Sequence, residues 1–194
     1  NKLKYENSMS DKKIILYAPT SHRGNNDYID SEFSPFNIKF YEFMNKLLTN
    51  TNIYLIIKPH YKDTLSSQIH EYIKLNDHMF LNEELNLQND YDVMIMSDLL
   101  ITDISTVYVD YLLIGNPIYL INNPDPDPDM KRSSILRNID LPKIKNKKDI
   151  QDLITKLSDG EIVDDNIKIL KDKIFENINH SMIIDKINKI LAEN

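Results

Sequence analysis

The chain has 194 residues, a formal net charge of −7, no cysteine and only three glycines. That length suits one substantial α/β domain rather than two full lobes, and the acidity without any Lys/Arg stripe excludes a general nucleic-acid binder. Disulfides and thiolate chemistry are excluded, dispersed glycines exclude a dinucleotide fingerprint or a Walker loop, and no apolar run nears the roughly 20 residues of a membrane helix. No signal-peptide pattern opens the residues, so a soluble chain in a reducing compartment is expected.

Residues 1–11 are polar and read as a tail or linker that frays, leaving residues 12–194 as the domain. Residues 14–18, Ile-Ile-Leu-Tyr-Ala, read as a buried strand stopped by Pro19, with Thr20-Ser21-His22-Arg23 at its carboxyl end. From Gly24 to Pro35 the composition is that of a loop about a dozen residues long, a length that usually marks function or mobility. Residues 36–48 place Phe36, Phe40, Phe43, Met44, Leu47 and Leu48 at helical spacing, which predicts an amphipathic helix with those six as core.

A second strand over residues 52–57 ends in Lys58-Pro59-His60-Tyr61. Polar residues just past a parallel strand sit where open sheets bind ligands, although a lone histidine there is more often a packed loop residue. A helix over 65–75 turns Ile69, Tyr72 and Ile73 inward and leaves His70 and His78 solvated. A short strand at 79–81 and a short helix at 91–96 follow, the latter with Tyr91, Met94 and Ile95 at core spacing.

Residues 97–122 read as the centre of the molecule. Leu99-Leu100-Ile101 is a strand buried on both faces, Thr102, Asp103, Ser105 and Thr106 form a polar turn, and a helix starting near Val107 is stopped by Gly115 and Pro117. Residues 118–121 are the next strand, giving a parallel βαβ unit with a right-handed crossover. Hydroxyls and backbone N–H groups at such a turn can hold a phosphate or carboxylate; the same residues are also preferred helix caps, so capping stands beside the site reading.

The Pro-Asp alternation of residues 123–129 predicts an extended loop. It lacks the closing glutamate of a calcium loop, and no metal or other cofactor is expected. Lys131, Arg132 and Arg137 form the most basic local patch, best read as a solvated face. Helices are expected over 149–157, 166–177 and 181–191, with Ser181 capping the last.

Taken together, residues 15–20 (Ile-Leu-Tyr-Ala-Pro-Thr) with Arg23, then Lys58-Pro59-His60, then residues 100–107 (Leu-Ile-Thr-Asp-Ile-Ser-Thr-Val) with Asp110, Gly115 and Pro117 resemble the CDP-glycerol glycerophosphotransferases, the teichoic-acid polymerase and primase family. The turn at 179–181 resembles the serine-bearing turn near the end of that family's nucleotide-binding lobe. Four motifs fall in order over nearly the whole chain. Ile104 and Thr106 stand where the family has a tyrosine and a second serine, Tyr61 where it has a proline, and Ser21-His22 where a tryptophan precedes the arginine.

The resemblance implies an α/β, doubly wound parallel sheet, Rossmann-like, the C-terminal lobe of a GT-B enzyme, with a C-terminal helical segment. It implies transfer of glycerol phosphate from CDP-glycerol to a hydroxyl of a cell-wall or capsule polymer, with release of CMP. His60 would serve the leaving phosphate, Arg23 and Lys58 would neutralise the diphosphate, and Thr20, Thr102, Asp103, Ser105, Thr106 and Ser181 would complete the donor site. Asp110 would reach a ribose or glycerol hydroxyl, or else remain a surface or capping residue. The polymer or lipid-linked acceptor would come through an N-terminal lobe that these residues do not supply, and His22 is the one rival for an acceptor-side base. A cytoplasmic place, peripheral to the inner face of the membrane, is implied. Two other readings stay open: the donor lobe of another GT-B enzyme using a nucleotide-sugar, and a non-catalytic module binding a nucleotide or a protein partner.

Overall fold

The computed structural model describes residues 4, 7–21, 31–103, 105–121, 141–161, 167 and 169–171. In chain order the elements are β1 (Lys13–Tyr17), α1 (Ile38–Leu48), β2 (Ile53–Ile57), α2 (Ser67–Lys74), β3 (Met79–Leu81), α3 (Asp90–Met96), β4 (Leu99–Thr102), α4 (Val107–Leu112), β5 (Ile118–Ile121), β6 (Lys143–Ile144) and α5 (Lys147–Asp159). The six strands form one sheet in the order β3-β2-β1-β4-β5-β6, and every neighbouring pair is parallel. The chain winds outward from β1 to β3, returns to place β4 beside β1, and winds the other way to β6. The winding therefore reverses between β1 and β4.

Successive residues of a strand face opposite sides, so a sheet covered on both faces needs apolar residues at every position. In β1, Ile15 and Tyr17 join α1, α2 and α5 in one core layer, while Ile14 and Leu16 join α3 and α4 in the other. A right-handed crossover changes face when the direction of winding changes, and this accounts for α1 and α2 on one side and α4 on the other. The expected core of α1 holds: Phe40, Met44 and Leu48 are buried and Phe36, Phe43 and Leu47 pack against them. Tyr41 is also fully buried, its hydroxyl donating to the Pro35 carbonyl at 2.8 Å.

Four details differ from the sequence reading. Tyr91 and Ile95 are 59% and 52% exposed, whereas Val93, Met94 and Met96 are buried. At 100° per residue, positions 91 and 95 lie opposite the stripe that Val93 and Met96 present to the sheet. The strand β6 was not anticipated, because two residues carry no period; it is held to β5 by the Leu120 N–H donating to the Pro142 carbonyl at 2.8 Å. His70 and His78 are half-buried rather than solvated, the ring of His78 meeting Tyr54 edge-on at 5.7 Å.

The amino-terminal residues that are described do not fray. Met9 is 2% exposed in the core, and Lys4 pairs with Asp98, whose carboxylate also accepts from the Ile14 N–H at 2.7 Å. An apolar anchor and a part-buried ion pair outweigh the polar composition there. The helices expected over 166–177 and 181–191 fall mostly or wholly outside the described residues, although Ile167 and residues 169–171 are helical.

Candidate functional site

Three strand ends lie abreast at the carboxyl edge of the sheet. Tyr17 is in register with Ile57 of β2 on one side and Ile101 of β4 on the other. The row beyond is stitched by the Lys58 N–H to the Tyr17 carbonyl, 2.9 Å, and the Ala18 N–H to the Ile101 carbonyl, 3.0 Å. Thr20, Lys58 to His60, and Thr102, Asp103, Ser105 and Thr106 thus leave the sheet side by side, on strands about 4.8 Å apart, at the reversal of winding where open parallel sheets bind ligands.

The floor of this crevice is made of side chains committed to backbone. The Thr102 hydroxyl, fully buried, donates to the Ala18 carbonyl at 2.6 Å. The Asp103 carboxylate, 2% exposed, accepts from the Thr20 N–H at 2.8 Å. Both bonds run from the end of β4 to the loop after β1, so they clamp the two walls at the point of reversal. Thr20 is itself nearly buried, at 9%.

Above that floor the hydroxyls are more open. The Val107 N–H donates to Ser105 Oγ at 3.4 Å, a long capping bond, and Thr106 makes no side-chain cap bond and is exposed. The helix that follows has six residues, too few for a strong dipole, so hydroxyls and backbone N–H groups carry the polar character of the turn. Tyr108, Tyr111 and Leu112 anchor α4 to the sheet, and Asp110 is exposed. Tyr111 bonds Ser97 Oγ at 3.0 Å. Burial pushes the Tyr108 phenol up to about 12 and Tyr111 higher still.

On the β2 side, Lys58 reaches Asp90 at the start of α3, Nζ to Oδ2 3.0 Å. The Lys62 N–H donates to His60 Nδ1 at 3.2 Å, the Asp63 N–H donates to the His60 carbonyl at 2.8 Å, and the Ser21 hydroxyl donates to Asp63 Oδ1 at 3.1 Å. The Tyr61 ring, 83% exposed, lies 4.5 Å from the His60 ring. A cavity of about 390 Å³ opens here, lined by Lys58, His60, His70, Glu83 and Asp90 among others. Lys58 is the one lysine or arginine among its described lining residues, against the acids Asp63, Glu83 and Asp90.

The structure brings Thr20, Lys58, His60, Thr102, Asp103, Ser105 and Thr106 to one edge, with Asp110 one turn into α4. Arg23 and Ser181 lie outside the described residues, as do His22, Lys131, Arg132 and Arg137. Ser21, Asp63 and Asp90 were not singled out by the sequence. Each works through a contact distant along the chain, and no local spacing signals it. Among the described residues no group of three or more His, Asp and Glu side chains is placed to share a metal ion.

The sequence and the fold both have counterparts among known proteins. A teichoic acid poly(glycerol phosphate) polymerase of Bacillus spizizenii is 34% identical over 109 residues, covering 56% of this chain and 26% of its own length. The wall teichoic acid polymerase TagF superposes with a TM-score of 0.58 at 22% identity, over all of this chain and 49% of that one. A variant of TagF soaked with CDPG superposes with a TM-score of 0.54 at 20% identity, over 100% of this chain and 47% of that chain. The C-terminal CMP-Kdo binding domain of WaaA from Acinetobacter baumannii shares the fold at 7% identity, with a TM-score of 0.53 over 92% of this chain and 95% of that one. The chain thus spans about half of the polymerase structures it matches, and less of the curated relative. The family model of CDP-glycerol:poly(glycerophosphate) glycerophosphotransferases matches residues 3–176, and the chain belongs to that family.

Proposed function

We propose that this chain forms the donor-binding lobe of a glycerophosphotransferase that takes glycerol phosphate from CDP-glycerol and passes it to a hydroxyl of a cell-wall or capsule polymer. The observation that carries this reading is the juxtaposition of the loops after β1, β2 and β4 at the reversal of winding, in a chain of this family. The CDPG soaked into the related polymerase supports the donor class.

In this reading an acceptor hydroxyl attacks the β-phosphorus, the bond from that phosphorus to the bridging oxygen breaks, and CMP departs with the bridging oxygen. Such chemistry depends on positioning and on neutralising charge, without a covalent intermediate. Lys58 and Arg23 neutralise the diphosphate, Ser105 and Thr106 hydrogen-bond it, and His60 donates to the leaving phosphate. Thr20 and Ser181 complete the donor contacts. Thr102 and Asp103, committed to Ala18 and Thr20, act by holding the crevice in shape. Asp110 binds a ribose or glycerol hydroxyl. The acceptor, a polymer or lipid-linked chain, and the base that takes its proton come from a further lobe, at the inner face of the cell membrane.

The test is a transfer assay. This chain alone should bind donor and transfer nothing, and the complete two-lobed protein should transfer. In the complete protein His60→Ala should lower turnover about a hundredfold or more, the usual share of a positioned proton donor, with a far smaller loss of donor affinity. Equal losses in both would place His60 in binding alone, and robust transfer by the isolated chain would overturn the donor-lobe reading.

A further inference from the structure

His60 sits in a turn that is tied down from two sides. Its carbonyl accepts from the Asp63 N–H at 2.8 Å, which closes the turn, and its Nδ1 accepts from the Lys62 N–H at 3.2 Å. The Asp63 side chain in turn accepts from the Ser21 hydroxyl at 3.1 Å, and Ser21 is 8% exposed in the loop after β1. A nitrogen that accepts a backbone N–H carries no proton of its own. In neutral imidazole the proton then resides on the other nitrogen.

We propose that Asp63 and Ser21 are positioning residues that hold the 60–63 turn so that neutral His60 keeps its proton on Nε2. The inference rests on the donor-lobe reading for its purpose and deepens it: a ring so held can donate to the oxygen of a leaving phosphate but cannot use Nδ1 as a base. His60 is thereby assigned to the leaving-group side of the reaction, and the acceptor's proton must go to a group elsewhere. The same tie joins the loop after β1 to the loop after β2, so the two walls that would flank the donor move together.

The sequence alone makes neither residue conspicuous. Ser21 is one of several polar residues that follow β1, and Asp63 falls in a turn with no motif. Their contact depends on β1 and β2 being paired in the register that brings Tyr17 beside Ile57.

The experiment is nitrogen-15 NMR of the histidine rings in the full chain, with amide exchange at Lys62 followed in parallel. The wild-type His60 should show the Nε2–H form almost alone, with a protected Lys62 amide. Asp63→Ala should move the ring toward the mixture of free histidine and lower Lys62 protection about tenfold or more, as the opened turn leaves that N–H to water. Ser21→Ala removes the same bond from the other side and should give the same shift, whereas Asp63→Asn keeps an acceptor oxygen and should restore the wild-type spectrum. An Nδ1–H ring in the wild type, or a ring and Lys62 amide unchanged in Ser21→Ala, would overturn the proposal. Neither readout needs a bound donor, so failure of the donor reading would appear separately, as absence of CDP-glycerol binding by a chain whose tautomer is as stated.

Discussion

Asp103 and Thr102 sit at the reversal of winding with almost no exposure, and their polar atoms meet the backbone of the neighbouring loop. Removing either partner leaves a buried group without its bond, which costs about 1–3 kcal/mol. Thr102→Val and Asp103→Ala should each lower the unfolding free energy by about that much in urea titrations, while Asp103→Asn, which keeps the acceptor oxygen, should cost less. Ser105 and Thr106 should behave in the opposite way. Among the described residues their hydroxyls make only the long bond to the Val107 N–H, so the Ser105→Ala, Thr106→Ala pair should leave the melting temperature nearly unchanged. Two lost hydrogen bonds to a charged group, at about 1.5–3 kcal/mol each, should weaken calorimetric binding of a cytidine diphosphate at least tenfold. A large fall in melting temperature with unchanged affinity would return both residues to capping.

At the scale of elements, α5 shows how much of a helix is set locally. Asn146 accepts from the Lys148 and Asp149 N–H groups, Asp149 reaches back to the Asn146 N–H, and Gly160 ends the helix at φ +75°. Asn146→Ala should cost about 1 kcal/mol by the usual worth of such a cap, read in the same urea titrations. The strands β1, β2, β4 and β5 were legible because each is a short, continuous apolar run closed by a polar or proline signal, as Ile14 to Ala18 before Pro19. β6 was not, since Lys143 and Ile144 are too few to show a period and their partners Leu120 and Ile121 lie far along the chain. The inward face of α3 is ambiguous in the sequence for a related reason. Seven residues admit more than one apolar stripe, and contact with β1 and β4 selects Val93 and Met96 over Tyr91 and Ile95. For the site, motifs that follow strands were visible as sequence, whereas the partners that hold them, Asp63 on Ser21 and Asp90 on Lys58, arise only from the pairing of distant segments.

At the scale of the whole molecule, the described residues form a sheet covered on both faces, and tyrosines seal both layers. Tyr41 belongs to one and Tyr111 to the other, and burial holds both phenols well above their ordinary value. The unfolded chain releases these protons near pH 10 and the folded chain retains them, so stability is complete below about pH 10 and falls as the pH rises further. Thermal melts taken from neutral to strongly alkaline pH should show that fall, and Tyr41→Phe should lessen it. The same substitution costs about 1 kcal/mol at neutral pH, because the Pro35 carbonyl loses its donor.

The central claim, that the edge formed by the loops after β1, β2 and β4 holds the donor of a glycerophosphotransferase, is tested most directly by calorimetric titration of this chain with CDP-glycerol, CMP and the corresponding uridine nucleotides. The account predicts saturable binding of CDP-glycerol, weaker binding of CMP for want of the second phosphate, a preference for cytidine over uridine, and loss of affinity in the Ser105→Ala, Thr106→Ala pair. A folded chain that binds none of these nucleotides, or that binds CDP-glycerol unchanged after both substitutions, would contradict it.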